Sequence, residues 1–463
     1  MITKTIVIKK EALWAKVICL ICIINAHIAL CGHQNEQPTV ATLLAQGAKA
    51  CETEDFDTAL LYLNQAQSLD PINIELLFKL GHIHLCRGDV PQALHAYYSL
   101  IKHFPQYSTS ALYNIGYALK TAGYIDKAIE IFRKIILVNP EYEAARLGLS
   151  FALITKGSFQ EGFKAHEWNL IKQGKNAPEL RALLAENTIA GKTILLIPEG
   201  GLGDTINFFP CAKELKQRGA RIIALVQKPL YELLKNCNYY DCVIEAGSHI
   251  PPHDARVTYM SLPSILHCSQ ETLQRDVPYI TANKILQEKW KAFFASDKKC
   301  KVGICWQVDI HNDSSRLPMA RRGIPCELLA SLSTLPNVSL YSLQQKDGAN
   351  DIQHISNNFR VTTFDDTFDQ IHGNFSDTAA VINNLDLIIC VDSAVGHLAG
   401  GLGCRVWLLL PYSSDWRWVS GKTSSEWYPT MTLFKQPMPF DWHSVIQRVR
   451  WELNILSEAF ITQ

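Results

Sequence analysis

The sequence predicts an α plus α/β chain, in which an N-terminal α-solenoid is followed by two doubly wound α/β domains in tandem. Three observations carry this. Pro71, Pro105 and Pro140 recur at intervals of 34 and 35 residues, each behind an amphipathic helical pattern. Beyond residue 191 short apolar runs of strand length alternate with helical patterns, the signature of parallel sheets covered by helices. Twice in that second half an apolar strand runs into a turn and a helix start, at 198–205 and at 390–403. A length of 463 residues allows two to four domains. A hydrophobic content of 48% with 10 Trp, 16 Tyr and 18 Phe supplies several cores and excludes wholesale disorder. Lys plus Arg is 44 and Asp plus Glu is 44, so the basic excess that a nucleic-acid partner requires is missing.

The N-terminal 1–35 reads as a signal-like or anchor segment. Lys4, Lys9, Lys10 and Lys16 precede an apolar stretch at 17–30 that is interrupted only by Asn25 and His27. A basic flank before a short apolar core is the pattern of a secretory leader, and membrane association through 12–31 is the related expectation. Ala29-x-Cys31 is a poor cleavage site, and an upstream helix packed on the next domain is the alternative. Export or anchoring is favoured over a cytoplasmic location. The 14 cysteines point the other way. Apart from Cys19 and Cys22, which form a C-x-x-C inside the apolar stretch, they are scattered singly, mostly in apolar runs. Buried free thiols are expected, with no metal or disulfide framework.

The solenoid is read over 39–172. Aligning the prolines superposes Gly47, Gly81 and Gly116 at one position and Ala59, Ala93 and Ala128 at another, with Tyr97 and Phe132 in phase. Small residues belong where paired helices cross closely. The pattern resembles the tetratricopeptide repeat, three copies over about 40–142 with a fourth, degenerate copy at 143–171. That last copy carries Phe163, His166, Glu167 and Trp168, larger than an internal repeat shows, and reads as the joint to the next module. Such repeats imply a concave surface for a peptide or protein partner, which His82, His84 and His95 could line; a structural arm without ligand is the alternative.

The first α/β domain is assigned to 191–282, with strands at 193–197, 221–226, 241–245 and 256–259 and helices at 205–216 and 229–236. The second is assigned to 283–463. It opens with a linking helix at 283–295 and continues with strands at 301–307, 338–343, 385–391 and 405–410. Helices are expected at 325–333, 375–384, 394–402 and 441–460. Two such domains leave a cleft at the carboxyl ends of their strands, where open α/β folds bind ligands.

Two motifs face that cleft. The first is Pro198-Glu-Gly-Gly-Leu-Gly-Asp-Thr205, where Gly201 and Gly203 let backbone approach an anion or sugar. It is not the dinucleotide fingerprint, since Ile206 stands where the third glycine belongs. Asp204 is either a helix cap or a general base. The second is Asp392-Ser393-Ala-Val-Gly-His397 behind a buried strand, whose hydroxyl, free amides and helix dipole suit a diphosphate. A lone histidine is more often structural, but His397 gains weight from its place beside Asp392 and Ser393.

Gly203-Asp204 with Pro210, and Asp392-Ser393-x3-His397-Leu398-Ala399, resemble the paired motifs of the heptosyltransferase-like glycosyltransferases, family 9, whose GT-B fold has two Rossmann-like domains. Segments at 261–266, 303–307, 377–385, 415–418 (DWRW) and 426–429 (EWYP) are similar to bacterial tetratricopeptide-repeat proteins that carry this domain. The resemblance implies a glycosyltransferase that moves a hexosyl or heptosyl unit from a nucleotide-sugar donor to a glycan or protein acceptor. It implies Asp204 as catalytic base, and Gly201, Gly203, Asp392, Ser393 and His397 as nucleotide-sugar-binding residues. No cofactor and no metal are implied, because amides, dipole and basic side chains stabilise the leaving diphosphate. Arg322 and Arg417 are the basic candidates, with Arg316 and Arg321 beside them, and Trp306 and Trp416 are candidates for stacking on sugar or base, with Trp418 and Trp427 as further ones.

The first Rossmann-like domain is short for the family, and the loop at 308–323 departs from its usual compact polar turn; the repeats could supply the missing acceptor surface. The alternative is a non-catalytic repeat scaffold with a degenerate GT-B domain. A protein O-glycosyltransferase that joins tetratricopeptide repeats to a GT-B half is a third reading, from which the 392–403 motif points away.

Overall fold

The computed structural model describes residues 38–175, 177–237, 239–273, 276–308, 317–346, 348–355 and 359–461. The leader-like segment with Cys19, Cys22 and Cys31 lies outside the described residues, as do Arg316 and residues 309–316 of the departing loop. Among the described residues no helix is long and apolar enough to cross a membrane. The chain divides into two compact units, one running through Ala122 and including Glu130–Val138, the other made of Gly123–Ile129 and everything from Asn139 onward.

The first unit is a stack of helices: α1 (Val40–Glu52), α2 (Phe56–Leu69), α3 (Ile74–Cys86), α4 (Val90–His103), α5 (Ser108–Thr121) and the last turns of α6 (Ile125–Val138). Helix starts are set by local chemistry. The side chains of Thr39, Asp55, Asn73 and Asp89 accept the backbone N–H of Thr42, Thr58, Leu76 and Gln92. Each such cap is worth about 1 kcal/mol. Helix ends are set by Pro71, Pro105 and Pro140, which follow α2, α4 and α6 and cannot continue them. The recurring glycines face the partner helix: a Cβ on Gly47 would lie 3.0 Å from Leu63, one on Gly81 would collide with the Tyr97 ring, and one on Gly116 would lie 2.8 Å from Phe132. Of the groove histidines, His82 lies 3.5 Å from the Cys86 thiol, His84 3.6 Å from Asp89, and His95 is exposed.

In the second unit α7 (Glu143–Lys156) and α8 (Phe159–Lys172) form another helical hairpin, but its aromatic face is built into an α/β core. Phe151 stacks on Trp416 at 5.5 Å, Phe159 meets Trp427 edge-on at 6.1 Å, and the Ser420 N–H donates to the Thr155 carbonyl at 2.8 Å. The large side chains of this degenerate copy are thereby accounted for.

Two parallel sheets follow. The first comprises β1 (Thr193–Ile197), β2 (Arg221–Val226), β3 (Cys242–Glu245) and β4 (Ala255–Thr258) in the order β3-β2-β1-β4. The second comprises β5 (Cys300–Cys305), β6 (Val338–Ser342), β7 (Leu387–Val391), β8 (Val406–Leu410) and β9 (Met431–Lys435) in the order β6-β5-β7-β8-β9. Every pairing is parallel, and β7 and β8 are buried at all positions, as strands covered on both faces must be. These are two Rossmann-like parallel-sheet domains. Strand order reverses between β1 and β4 and again between β5 and β7, so each sheet has a switch point where a ligand crevice opens.

The helices that position the cleft and cover the sheets include α9 (Leu202–Phe208) after β1, α10 (Lys284–Phe294) between the domains, α11 (Ser376–Ile382) before β7, α12 (Ala394–Gly401) after β7 and the closing α13 (Trp442–Ile461). The continuous helix expected at 205–216 is instead α9, a 3-10 turn at Phe209–Ala212 and a short helix at Lys213–Gln217. Pro210 lacks the N–H that would have carried the helix through. Strand β9 was not anticipated. One core fills the space between the sheets, with Leu196, Ile206, Ile388, Leu398 and Leu408 among its members, and another lies beneath α13 with Trp306, Ile389, Val449 and Leu453.

Because a Cβ at position 81 overlaps the Tyr97 ring, Gly81→Ala is expected to destabilise the repeats by about 1–3 kcal/mol. Thermal denaturation followed by circular dichroism checks this, and an unchanged midpoint contradicts the packing.

Candidate active-site cleft

A cleft of about 460 Å³ opens within the second unit at both switch points. The turn after β1 supplies Gly201, Gly203 and Asp204; the turn after β7 supplies Asp392, Ser393 and His397; Arg322 and Arg417 complete the wall. Residues from motifs nearly 200 positions apart thus share one cavity.

The β1 turn is shaped by glycine. Gly200 takes φ +74°, a left-handed conformation, and lets the chain reverse into α9. Gly203 faces His397 so closely that a Cβ there would lie 2.7 Å from the imidazole Cδ2. Asp204 belongs to the first turn of α9, and its Oδ2 accepts the Gly201 N–H at 2.6 Å while its Oδ1 accepts from the Arg417 guanidinium. The carboxylate is therefore a cap and an ion-pair partner at once.

Arg417 is 7% exposed. Its guanidinium also donates to Asp415 at 2.9 Å and lies over the Trp416 ring at 4.2 Å and the Phe208 ring at 5.4 Å. Burial opposes its charge, but Asp204, Asp415 and Asp392 outweigh that and raise its pKa above the ordinary arginine value. Arg322 donates to the Asp392 carbonyl at 3.0 Å.

At the end of β7, Asp392 is 4% exposed and its Oδ2 accepts the Trp418 indole N–H at 3.0 Å. Burial and the neighbouring Asp415 raise its pKa above the usual carboxylate value, against Arg322, Trp418 and Arg417, which lower it. Ser393 occupies the N-cap of α12 in an extended conformation, yet its hydroxyl makes no cap hydrogen bond. Its Oγ is buried against the Cys305 thiol and finds no nitrogen or oxygen partner among the described residues, and the Arg417 Nε is likewise unpartnered there. Buried polar atoms are normally satisfied, so unspent donors around a cleft mark the chemistry a ligand would meet. The Nδ1 of His397 lies 2.9 Å from the Tyr428 hydroxyl, its Nε2 lies 3.7 Å from Asp392 Oδ1, and its ring stacks with Trp418 at 5.9 Å. Burial, and then Arg417, press its pKa down to about 3 against the pull of Asp204 and Asp415. The imidazole is neutral.

Eight of the ten candidate site residues thus come together here. The two tryptophans do not fit the stacking expectation. Trp306 is fully buried in the core beneath α13, where its indole N–H donates to Asp351 at 3.2 Å. Trp416 is 9% exposed, with its ring stacked against Phe151 and Phe208 and capped by Arg417, so no face is left for a sugar or base. Trp418 serves Asp392, and the Trp427 indole N–H donates to the Arg417 carbonyl at 2.9 Å.

Not foreseen from the sequence are Asp415, which lines the cleft, and Asn207 and Tyr428, which lie behind His397. Asp415 and Tyr428 sit inside DWRW and EWYP, and the aspartate two positions before a candidate arginine was a usable signal. Asn207 carried none. The side chain of Gln344 was also unforeseen; it accepts the N–H of Trp306 and of Gln307 at 3.0 and 2.9 Å and so fixes the turn after β5. Asp369 (φ +57°) plays the same part at α11, accepting the N–H of Asp377 and Thr378 at 2.7 and 3.1 Å.

Residues 109–142 match the tetratricopeptide repeat family. Protein FlbA of Caulobacter vibrioides is 22% identical over 425 residues, covering 86% of this chain and 70% of that protein. Among solved structures, a glycosyl transferase family 9 protein of Veillonella parvula superposes with a TM-score of 0.40 at 12% identity, over 58% of this chain and 98% of its own. An O-GlcNAc transferase mutant of Thermobaculum terrenum gives 0.32 at 13% identity, over 92% of this chain and 95% of its own.

The depressed histidine makes the fold acid-sensitive. With a folded pKa near 3 and an unfolded value near 6.5, the unfolded chain binds a proton that the folded chain refuses. That contribution to stability is whole above pH 6.5 and is lost as pH falls toward 3. At about 1.4 kcal/mol per pH unit, lowering pH from 7.5 to 5 is expected to cost wild type about 2 kcal/mol more than His397→Gln. Urea denaturation at the two pH values checks it, and equal losses contradict a buried neutral imidazole.

Proposed function

We propose that the second unit is a glycosyltransferase that binds a nucleotide-sugar donor in this cleft and moves the sugar to a glycan or protein acceptor recognised with the help of the repeats. The observation that carries the reading is the start of α12. Its first amides and the Ser393 hydroxyl, which has no nitrogen or oxygen partner among the described residues, lie at the switch point of the second sheet, with Arg322 and Arg417 in the same wall. Amides at a helix start, a hydroxyl and two guanidiniums are the donor set for a diphosphate.

In this reading the acceptor hydroxyl attacks the anomeric carbon as the bond from that carbon to the diphosphate oxygen breaks. Asp204 takes the hydroxyl proton, and the nucleoside diphosphate leaves with its charge met by α12, Ser393 and the two arginines. Gly201 and Gly203 admit the sugar beside Asp204. Each oxygen of Asp204 already accepts a hydrogen bond, one from the Gly201 N–H and one from Arg417, and transfer of Arg417 from the carboxylate to the diphosphate would free Asp204 to accept a proton. The same observation favours the rival reading, a repeat scaffold whose carboxylate serves only as a cap and ion-pair partner.

Asp204→Asn separates the two, because the amide oxygen can still accept the Gly201 N–H. Transfer is expected to fall by about 10²–10⁴ while donor binding is retained. Equal loss of donor binding, measured by calorimetry, means a structural carboxylate. Ser393→Ala is expected to weaken donor binding about tenfold, the cost of one hydrogen bond to a charged group. An unchanged dissociation constant removes Ser393 from the site.

A further inference from the structure

We propose that Tyr428 is a positioning residue which, anchored by Asn207, fixes His397 as the imidazole that carries its proton on Nε2 and turns that N–H toward Asp392 and the cleft. The geometry stands by itself; its consequence for ligand binding rests on the donor reading above.

Asn207 on α9 and Tyr428 after β8 are both fully buried. The Asn207 amide Nδ2 donates to the Tyr428 hydroxyl oxygen at 3.1 Å, and an amide NH2 can only donate. With one lone pair accepting there, the hydroxyl keeps its own hydrogen to give, and His397 Nδ1 lies 2.9 Å away to receive it. A nitrogen that accepts carries no proton, so the proton of the neutral ring sits on Nε2. Asp392 agrees from the other side. Its Oδ2 is held by Trp418, leaving Oδ1, an acceptor when ionised, to face Nε2 at 3.7 Å. That separation exceeds a hydrogen bond and leaves the N–H available to a ligand oxygen.

The ring is held in orientation as well as in proton state. Trp418 stacks on it, and the missing side chain of Gly203 makes room for its edge. Tyr428 is seated by Gly400 of α12, where a Cβ would lie 2.5 Å from the tyrosine ring. The reversed arrangement has Nδ1–H donating to the phenol oxygen and sets the Nε2 lone pair opposite the Asp392 carboxylate, and it would present that lone pair to the cleft. An anionic oxygen beside Ser393 is repelled by that lone pair and attracted by the N–H.

The test uses the full chain labelled with 15N-histidine and two-bond proton–nitrogen correlation spectra, with the His397 signals assigned by their loss in His397→Gln. The expected wild-type pattern has Nε2 protonated and Nδ1 bare, and Tyr428→Phe is expected to shift the pattern to a mixture of both tautomers. A wild-type Nδ1–H form, or a pattern untouched by Tyr428→Phe, overturns the proposal. Asn207→Leu, which keeps the hydroxyl but removes its anchor, is expected to weaken the preference and serves if the phenylalanine variant does not fold. Calorimetry with ADP and UDP separates the two readings. If neither binds wild type, the donor reading fails while the tautomer assignment stands or falls by its spectrum. If either binds, Tyr428→Phe is expected to weaken it about tenfold, and unchanged affinity overturns the positioning role.

Discussion

A guanidinium almost cut off from water governs the arrangement of the cleft. Arg417 reaches from the segment after β8 to Asp204 beyond β1 and to Asp415 two positions before it, with an aromatic ring beneath. A buried charge is tolerated only where it is paired, and removing one member of such a set strands the others at a cost of about 3–5 kcal/mol. The cation therefore fixes where the β1 turn sits against the second Rossmann-like domain. It also gives the cleft a positive group that an anionic ligand can recruit without any basic excess elsewhere on a chain of zero formal charge.

Close approach is the second constraint, and glycine satisfies it. Gly203 lets the imidazole of His397 lie against α9, and Gly400 lets the Tyr428 ring lie against α12. With side chains at either place the two turns would separate, and Asn207 could no longer reach Tyr428. The same device recurs in the repeats, where Gly47, Gly81 and Gly116 admit a large side chain of the partner helix. There it serves packing alone.

What was legible in the sequence followed from local pattern. Proline spacing and the glycine column gave the helical pairs, and the alternation of apolar runs gave the strands except β9, whose five residues include Thr432 and Lys435 and follow a loop rather than a helix. Pro210 was visible, but its effect on α9 depends on how the following turn packs. In the site, Asp392, Ser393 and His397 were readable because one strand-to-helix turn presents all three. The Asn207–Tyr428 and Asp204–Arg417 contacts join positions 221 and 213 residues apart, and no local periodicity encodes such pairs. Tryptophans were ambiguous for a different reason: an indole is equally at home on a ligand and in a core, and only the fold decides that Trp306 lies beneath α13 while Trp416 is stacked between rings and a cation.

On this reading the start of α12 receives a diphosphate. A crystal structure of the chain with a nucleoside diphosphate sugar decides it. Diphosphate oxygens are expected within hydrogen-bond reach of the Ser393 hydroxyl, the first amides of α12 and the Arg322 guanidinium, with the Asp204–Arg417 pair opened. A ligand bound elsewhere on the chain, or one in the cleft that leaves Ser393 and the α12 amides untouched, contradicts it.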